Sequence, residues 1–232
     1  MYKTKQSVIS PPARSRNIFY DLGYFFLKKP KKETLIRFSS EGERQNYNDR
    51  IRQRLGINPD RFSILNIHRI GVNAPVNYMF NEILNWNGDS TCWPNHTAKV
   101  DRIKNRLEDI RILFLGIKFL PLFLLKSRKF KKTPDRFDFD NARYLLYECS
   151  GGYPIGIFSM YVRSPIASLS EIAQAQLFII VGFNFYGKER LGRKGLINKI
   201  WLSIHNRVTT HVLIRMKQLA EWRFEKMQDH IS

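Results

Sequence analysis

The segment LGRKGLINKIWLSIHNRVTTHVLIRMKQLAEWRF, residues 191–224, carries His211 and Arg215 four positions apart. On a helix that spacing sets the two side chains next to each other, and a guanidinium fork beside an imidazole suits one carboxylate or phosphate. The chemistry implied is capture of an anionic head. The plainer role is that both end on core-edge carbonyls or on a carboxylate such as Glu148. Trp93 and His96, in STCWPNH at residues 90–96, and Tyr147, Met160 and Tyr161, in strand-like stretches, are types that line an apolar cavity. Core packing draws on the same types. His205 falls on the flank of the helix.

Other chemistry is not signalled. There is no phosphate loop, dinucleotide fingerprint, metal-spaced histidine pair or nucleophile elbow, so no metal and no cofactor are expected. Glu148 and Glu171 are the carboxylates nearest strand interiors, but their separation gives no support for a paired acid and base. Catalysis would need a titratable group inside a cavity, which the sequence alone does not place. Cys92 and Cys149 are too few for a disulfide framework. With no apolar core of signal-peptide length in MYKTKQSVISPPARSR, a cytoplasmic location is expected, extended by peripheral contact with membrane.

The elements that must hold these residues are read from periodicity. Residues 191–224 predict one long helix, with Ile197, Ile200, Trp201, Ile204, Val208, Leu219 and Trp222 on one side. His211 and Arg215 project within about 20° of Ile204, so two basic groups are expected to face the core. FSILNIHRIGV, from Phe62, reads as a strand, and Pro75 opens a short helix through VNYMFNEILNW. AKVDRIKNRL, EDIRILFLGIK, NARYLLYEC, YPIGIFSMYVR and SEIAQAQLFIIVGFNFY supply further strands, six in all. The last is apolar on both faces, as a strand covered on one side by a helix and on the other by the extension or a partner would be.

The first sixty residues form an extension. Ile18, Phe19, Tyr20, Tyr24, Phe25 and Phe26 stand between Pro11-Pro12 and Lys28-Lys29-Pro30-Lys31-Lys32. Such a cluster packs on the main body or serves as an aromatic, basic arm. Ser40 with Glu43 three residues on predicts a capped helix that ends at Gly56. The apolar run Ile110–Leu125 is broken by Arg111, Lys118 and Pro121 and is too short to span a bilayer. The 232 residues hold 39 Lys+Arg against 20 Asp+Glu, a formal +19, which favours anionic partners such as nucleic acid or anionic lipid.

This order of elements resembles the START-like superfamily, also called SRPBCC or helix-grip proteins. The resemblance rests on the Pro75 helix after the first strand, Trp93-Pro94 leading into AKVDRI, the turn Gly151-Gly152, and Gly195 to Trp222 with Trp201 and His205. It covers residues 62–222, without a signature motif. It implies an α+β fold, a curved antiparallel sheet wrapped around a long C-terminal helix, with residues 1–60 as an extension and 61–232 as the domain. It also implies a deep apolar cavity for a lipid-like or polyketide-like ligand, and transfers no catalytic residues. Two departures stand out: six strands against an expected seven, and a basic insert, Lys126–Arg136, in place of a short loop. The function expected is non-catalytic binding of a hydrophobic ligand, its acidic head at His211 and Arg215, with an anionic membrane as a docking surface. The competing readings are a nucleic-acid or partner-binding module, and an enzyme, a cyclase or hydrolase, of the same fold.

Overall fold

A computed structural model describes residues 17–85, 98–103, 106–114, 121–127, 143–150, 155–165, 173–184 and 196–229. In chain order these are α1 (Ile18–Leu22), a π turn (Gly23–Leu27), α2 (Glu41–Leu55), a 3-10 turn (Pro59–Arg61), β1 (Ile64–Val72), α3 (Val76–Asn85), β2 (Ala98–Ile103), β3 (Arg106–Phe114), β4 (Pro121–Ser127), β5 (Arg143–Ser150), β6 (Ile155–Arg163), β7 (Ala175–Phe183) and α4 (Leu196–Asp229). Among the described residues the sheet has seven strands in the order β1-β7-β6-β5-β4-β3-β2. Every neighbouring pair is antiparallel.

The seventh strand, missed in the sequence count of six, is β4. Proline has no amide hydrogen for the ladder, and at the first position of a strand none is needed. Pro121 opens β4 there, pairing with Leu113. The apolar run 110–125 therefore supplies two paired strands.

Side chains alternate across a strand, and the two core clusters follow that period. Val72, Leu145, Met160, Leu177, Ile179 and Phe183 point inward and pack with Met79 and Ile83 of α3 and Leu213, Met216 and Ala220 of α4. Ile67, Leu146, Ile157, Tyr161, Phe178 and Ile180 point outward and pack with Ile51 and Leu55 of α2. The outer face of β7 is thus covered by α2. The three layers are α2, the sheet, and α3 with α4. α2 is capped as its sequence predicts: Ser40 Oγ accepts from the Glu43 amide at 3.1 Å, and Gly56 ends the helix at φ 65°. One close approach pins the chain ahead of β1. A Cβ on Gly182 would lie 2.8 Å from the Phe62 ring, so this strand position admits only hydrogen.

α4 runs unbroken for 34 residues. Its buried face is Thr209, Thr210, Val212, Leu213, Met216, Leu219 and Ala220, turned by about 120° from the predicted stripe. Ile200, placed in that stripe, is 52% exposed. The cause is a second neighbour. The π turn packs on α4 beside the sheet contact, so the helix is apolar on more than one side and its periodicity points between the two.

Candidate ligand site beneath the long helix

On β1 the inward positions are 64, 66, 68, 70 and 72, and two of them are polar: Asn66 and His68. They face α4 where it presents Asn206 and Thr210. Asn66 Nδ2 donates to Asn206 Oδ1 at 2.9 Å. Thr34 Oγ1 lies 2.9 Å from His68 Nδ1 and 2.9 Å from Thr210 Oγ1. Thr34 is brought there by a strap of extended chain along the edge of β1, where Arg69 N donates to Thr34 O and Ile36 N to Ile67 O, both at 2.8 Å. The strap thus supplies the central hydroxyl of a buried polar seam.

His68 is fully buried, and among the described residues its Nε2 makes no hydrogen bond. Asn206 is close enough to favour the charged ring slightly, but its oxygen is already engaged by Asn66. Burial pulls the His68 pKa down to about 3, helped by the neighbouring His205. Burial likewise lowers His205 to about 4, its ring resting 5.5 Å from that of Phe183. Both rings are neutral at physiological pH. A neutral imidazole has one donor and one acceptor, and Thr34 satisfies only one of them. His68 keeps one hydrogen bond in reserve.

The strap is fixed to α4 as well. His211 Nε2 donates to the Lys28 carbonyl at 3.0 Å, and Arg207 Nη1 to that of Leu27 at 3.0 Å. The Tyr24 ring lies 5.1 Å from that of His211. His211 therefore looks to the strap, contrary to the expectation that it faces the core. Arg215 is half-buried and itself engaged. Tyr147 and Met160 lie in the inner cluster beneath the helices. Tyr161 lies in the outer cluster, on the opposite face from α4, where Arg54 Nη1 donates to its hydroxyl. The period of two separates it from Met160. Trp93 and His96 lie outside the described residues. His68, Asn66 and Thr34 were not singled out by sequence; the available signal was two polar residues between Ile64 and Ile70 on an inward face.

The helices cover the inner face unevenly. α4 lies on β1 and α3 on β5, β6 and β7, while among the described residues no helix packs comparably on β2, β3 or β4. α3 is tied to α4 by Arg223, whose Nη1 donates to Glu82 Oε2 at 2.7 Å. Tyr78 donates to the other Glu82 oxygen at 3.1 Å, and burial with that carboxylate pushes its pKa up to about 12. Among the described residues no group of three or more His, Cys, Asp or Glu could hold a metal ion, and no helix is long and apolar enough to cross a membrane.

A seven-stranded antiparallel sheet among the described residues, its first strand paired with its last and a long C-terminal helix laid on the inner face, is a helix-grip arrangement, of class α+β. Among solved structures, the chain is similar to the Zhui aromatase/cyclase from Streptomyces sp. R1128, at 17% identity and TM-score 0.44 over 69% of this chain and 94% of that one. It is similar to a START superfamily protein from Mycobacterium smegmatis, at 10% identity and TM-score 0.39 over 70% and 98%. It is similar also to Ara h 8.0201, at 9% identity and TM-score 0.41 over 68% and 97%. No protein-family model and no curated protein matches the sequence.

Proposed function

We propose that this protein binds a hydrophobic small molecule, lipid-like or polyketide-like, between the inner face of the sheet and α4, without catalysing a reaction on it. The observation that carries the reading is the buried Nε2 of His68, without a partner among the described residues, in a polar seam beside the inner apolar cluster. A buried polar atom without a partner costs free energy unless a water or a guest supplies one. The inner face of β2–β4, on which no helix packs comparably among the described residues, is where the apolar body of such a guest would lie. Because His68 and His205 are neutral, a hydroxyl or carbonyl is the fitting partner for His68. An acidic head belongs instead at Arg215 and His211, where release of the Lys28 carbonyl would free the imidazole.

The source of the guest in this reading is an anionic membrane. Phe19, Leu27 and Tyr20 are 82%, 71% and 62% exposed, beside the exposed Lys28, Lys29, Lys31 and Lys32. Exposed aromatic and apolar groups flanked by lysines suit the boundary between acyl chains and acidic headgroups.

Native mass spectrometry of protein purified from its own host, with organic extraction of the same sample, tests the binding. A retained apolar molecule, lost in a folded His68→Leu variant, is the expected result. A bare chain that extracts clean and fails to take up 1-anilinonaphthalene-8-sulfonate ends the proposal. Flotation with phosphatidylserine vesicles tests the docking separately: binding should weaken with salt and with a Phe19→Ser/Leu27→Ser double change.

A further inference from the structure

The outer face of the sheet holds a partly open hollow of about 40 Å³, flanked by α2. A water needs roughly 10–15 Å³ by that measure, so the space suits a few waters or one small oxyanion. Among its walls are Tyr47, Arg50 and Arg54 from α2 and Tyr161, Arg163 and Phe178 from the sheet. The sheet places Arg163 there because position 163 shares the outward side of β6 with Ile157 and Tyr161. Two arginines bracket an aromatic pair. Arg54 lies over Tyr161 at 5.2 Å, Tyr161 lies against Phe178 at 5.6 Å, and Arg163 lies over Phe178 at 5.0 Å. Arg50 sits over Tyr47 at 6.0 Å.

Arg163 is the telling member. It is only 8% exposed, and among the described residues its guanidinium's hydrogen bond is from Nε to the neutral amide oxygen of Gln176, at 3.2 Å. Tyrosines and the further arginines Arg54 and Arg69 are the groups that bear on its charge, and among the described residues no carboxylate lines the hollow. A guanidinium does not discard its proton in a protein, so burial without a counter-ion is costly. Gln176 and the Phe178 face answer only part of that charge. The planar fork of Arg163 beside two more guanidinium groups matches the oxygens of a doubly charged anion, which arginine binds in bidentate fashion.

We propose that the hollow between α2 and the outer face of the sheet binds phosphate, as the free ion or as the terminal group of a small ester, through Arg163, Arg54 and Arg50. The site is separate from the proposed apolar guest, on the opposite face. Because it takes residues from both α2 and β6, the bound anion ties the N-terminal extension to the sheet.

Thermal unfolding in a chloride buffer tests it, with inorganic phosphate and phenyl phosphate added in parallel and sodium chloride at matched ionic strength as control. Both phosphates should raise the melting temperature beyond the control, and the larger rise identifies the free ion or the ester as the better occupant. Arg163→Gln should lose most of the phosphate-dependent rise. Should that variant fail to fold, Arg54→Lys serves, keeping the charge while removing the fork and cutting phosphate affinity several-fold by isothermal calorimetry. Equal stabilisation by phosphate and matched chloride, or a full phosphate response in either folded variant, overturns the proposal.

Discussion

His68 on the first strand and Thr210 on the long helix are joined through a single hydroxyl, Thr34 Oγ1, 2.9 Å from each. The hydroxyl comes from neither element but from the strap along the edge of β1. A packed apolar contact would tolerate small slippage of α4; two hydrogen bonds meeting at one hydroxyl tolerate less, because both depend on its position.

Thr34→Val keeps the shape of the side chain and removes the hub. Two buried polar groups then lose a partner, His68 Nδ1 and Thr210 Oγ1, at about 1–3 kcal/mol for each group left unsatisfied. Thr34→Ser should recover most of the loss. Urea denaturation of the three proteins checks this; a valine variant as stable as the parent would mean that water serves the seam equally well.

The neutral buried histidines set a pH dependence with a definite sign. His68 titrates near 3 in the folded chain against 6.5 unfolded. Above pH 6.5 neither state takes the proton and stability is unaffected; below it the unfolded chain protonates and the folded one does not, so stability falls down to about pH 3. At pH 5 the loss from His68 is about 2 kcal/mol. His205, lowered to about 4, acts in the same direction. Unfolding free energies at pH 7, 6 and 5 should decline in the parent and decline less in His68→Gln. A flat profile would place a protonated His68 in the folded state.

Much of this architecture was legible beforehand, and the reasons are local. The capped α2, the Pro75 helix and the strand character of β1 and β5–β7 follow from Ser40, Gly56, Pro75 and period-two patterning. β4 was hidden because its apolar run continues that of β3, so the sequence pattern shows no boundary between them. The facing of α4 was misjudged because a helix held between a sheet and an extension has no single apolar side. His68 escaped notice because its importance arises from Thr34 and Thr210, 34 and 142 positions away in sequence. Only the fold brings them together.

Gly182 offers a test of packing that owes nothing to polar groups. A methyl group there would stand 2.8 Å from the Phe62 ring and 2.9 Å from Ile157 Cγ1, both closer than carbon atoms allow. Gly182→Ala must displace the ring and should cost about 1–3 kcal/mol, as overpacking does. Combining it with Phe62→Leu, which opens the space, should cost less than the sum of the two single changes. A strictly additive pair by thermal unfolding would show that the ring is not what forbids the side chain.

The link between α3 and α4 is open to a double-mutant cycle. Arg223 donates to Glu82 at 2.7 Å, but its side chain is 35% exposed, so water and salt screen the pair. A coupling near 1 kcal/mol is therefore expected between Glu82→Gln and Arg223→Gln, weakening in high salt. The Tyr78 hydroxyl shares the same carboxylate, so Glu82→Gln should also lower the pKa of Tyr78 from its raised value near 12, readable from the ultraviolet phenolate band. If the cycle gives no coupling while the tyrosine titration still moves, the carboxylate holds α3 through Tyr78 and not through the helix opposite.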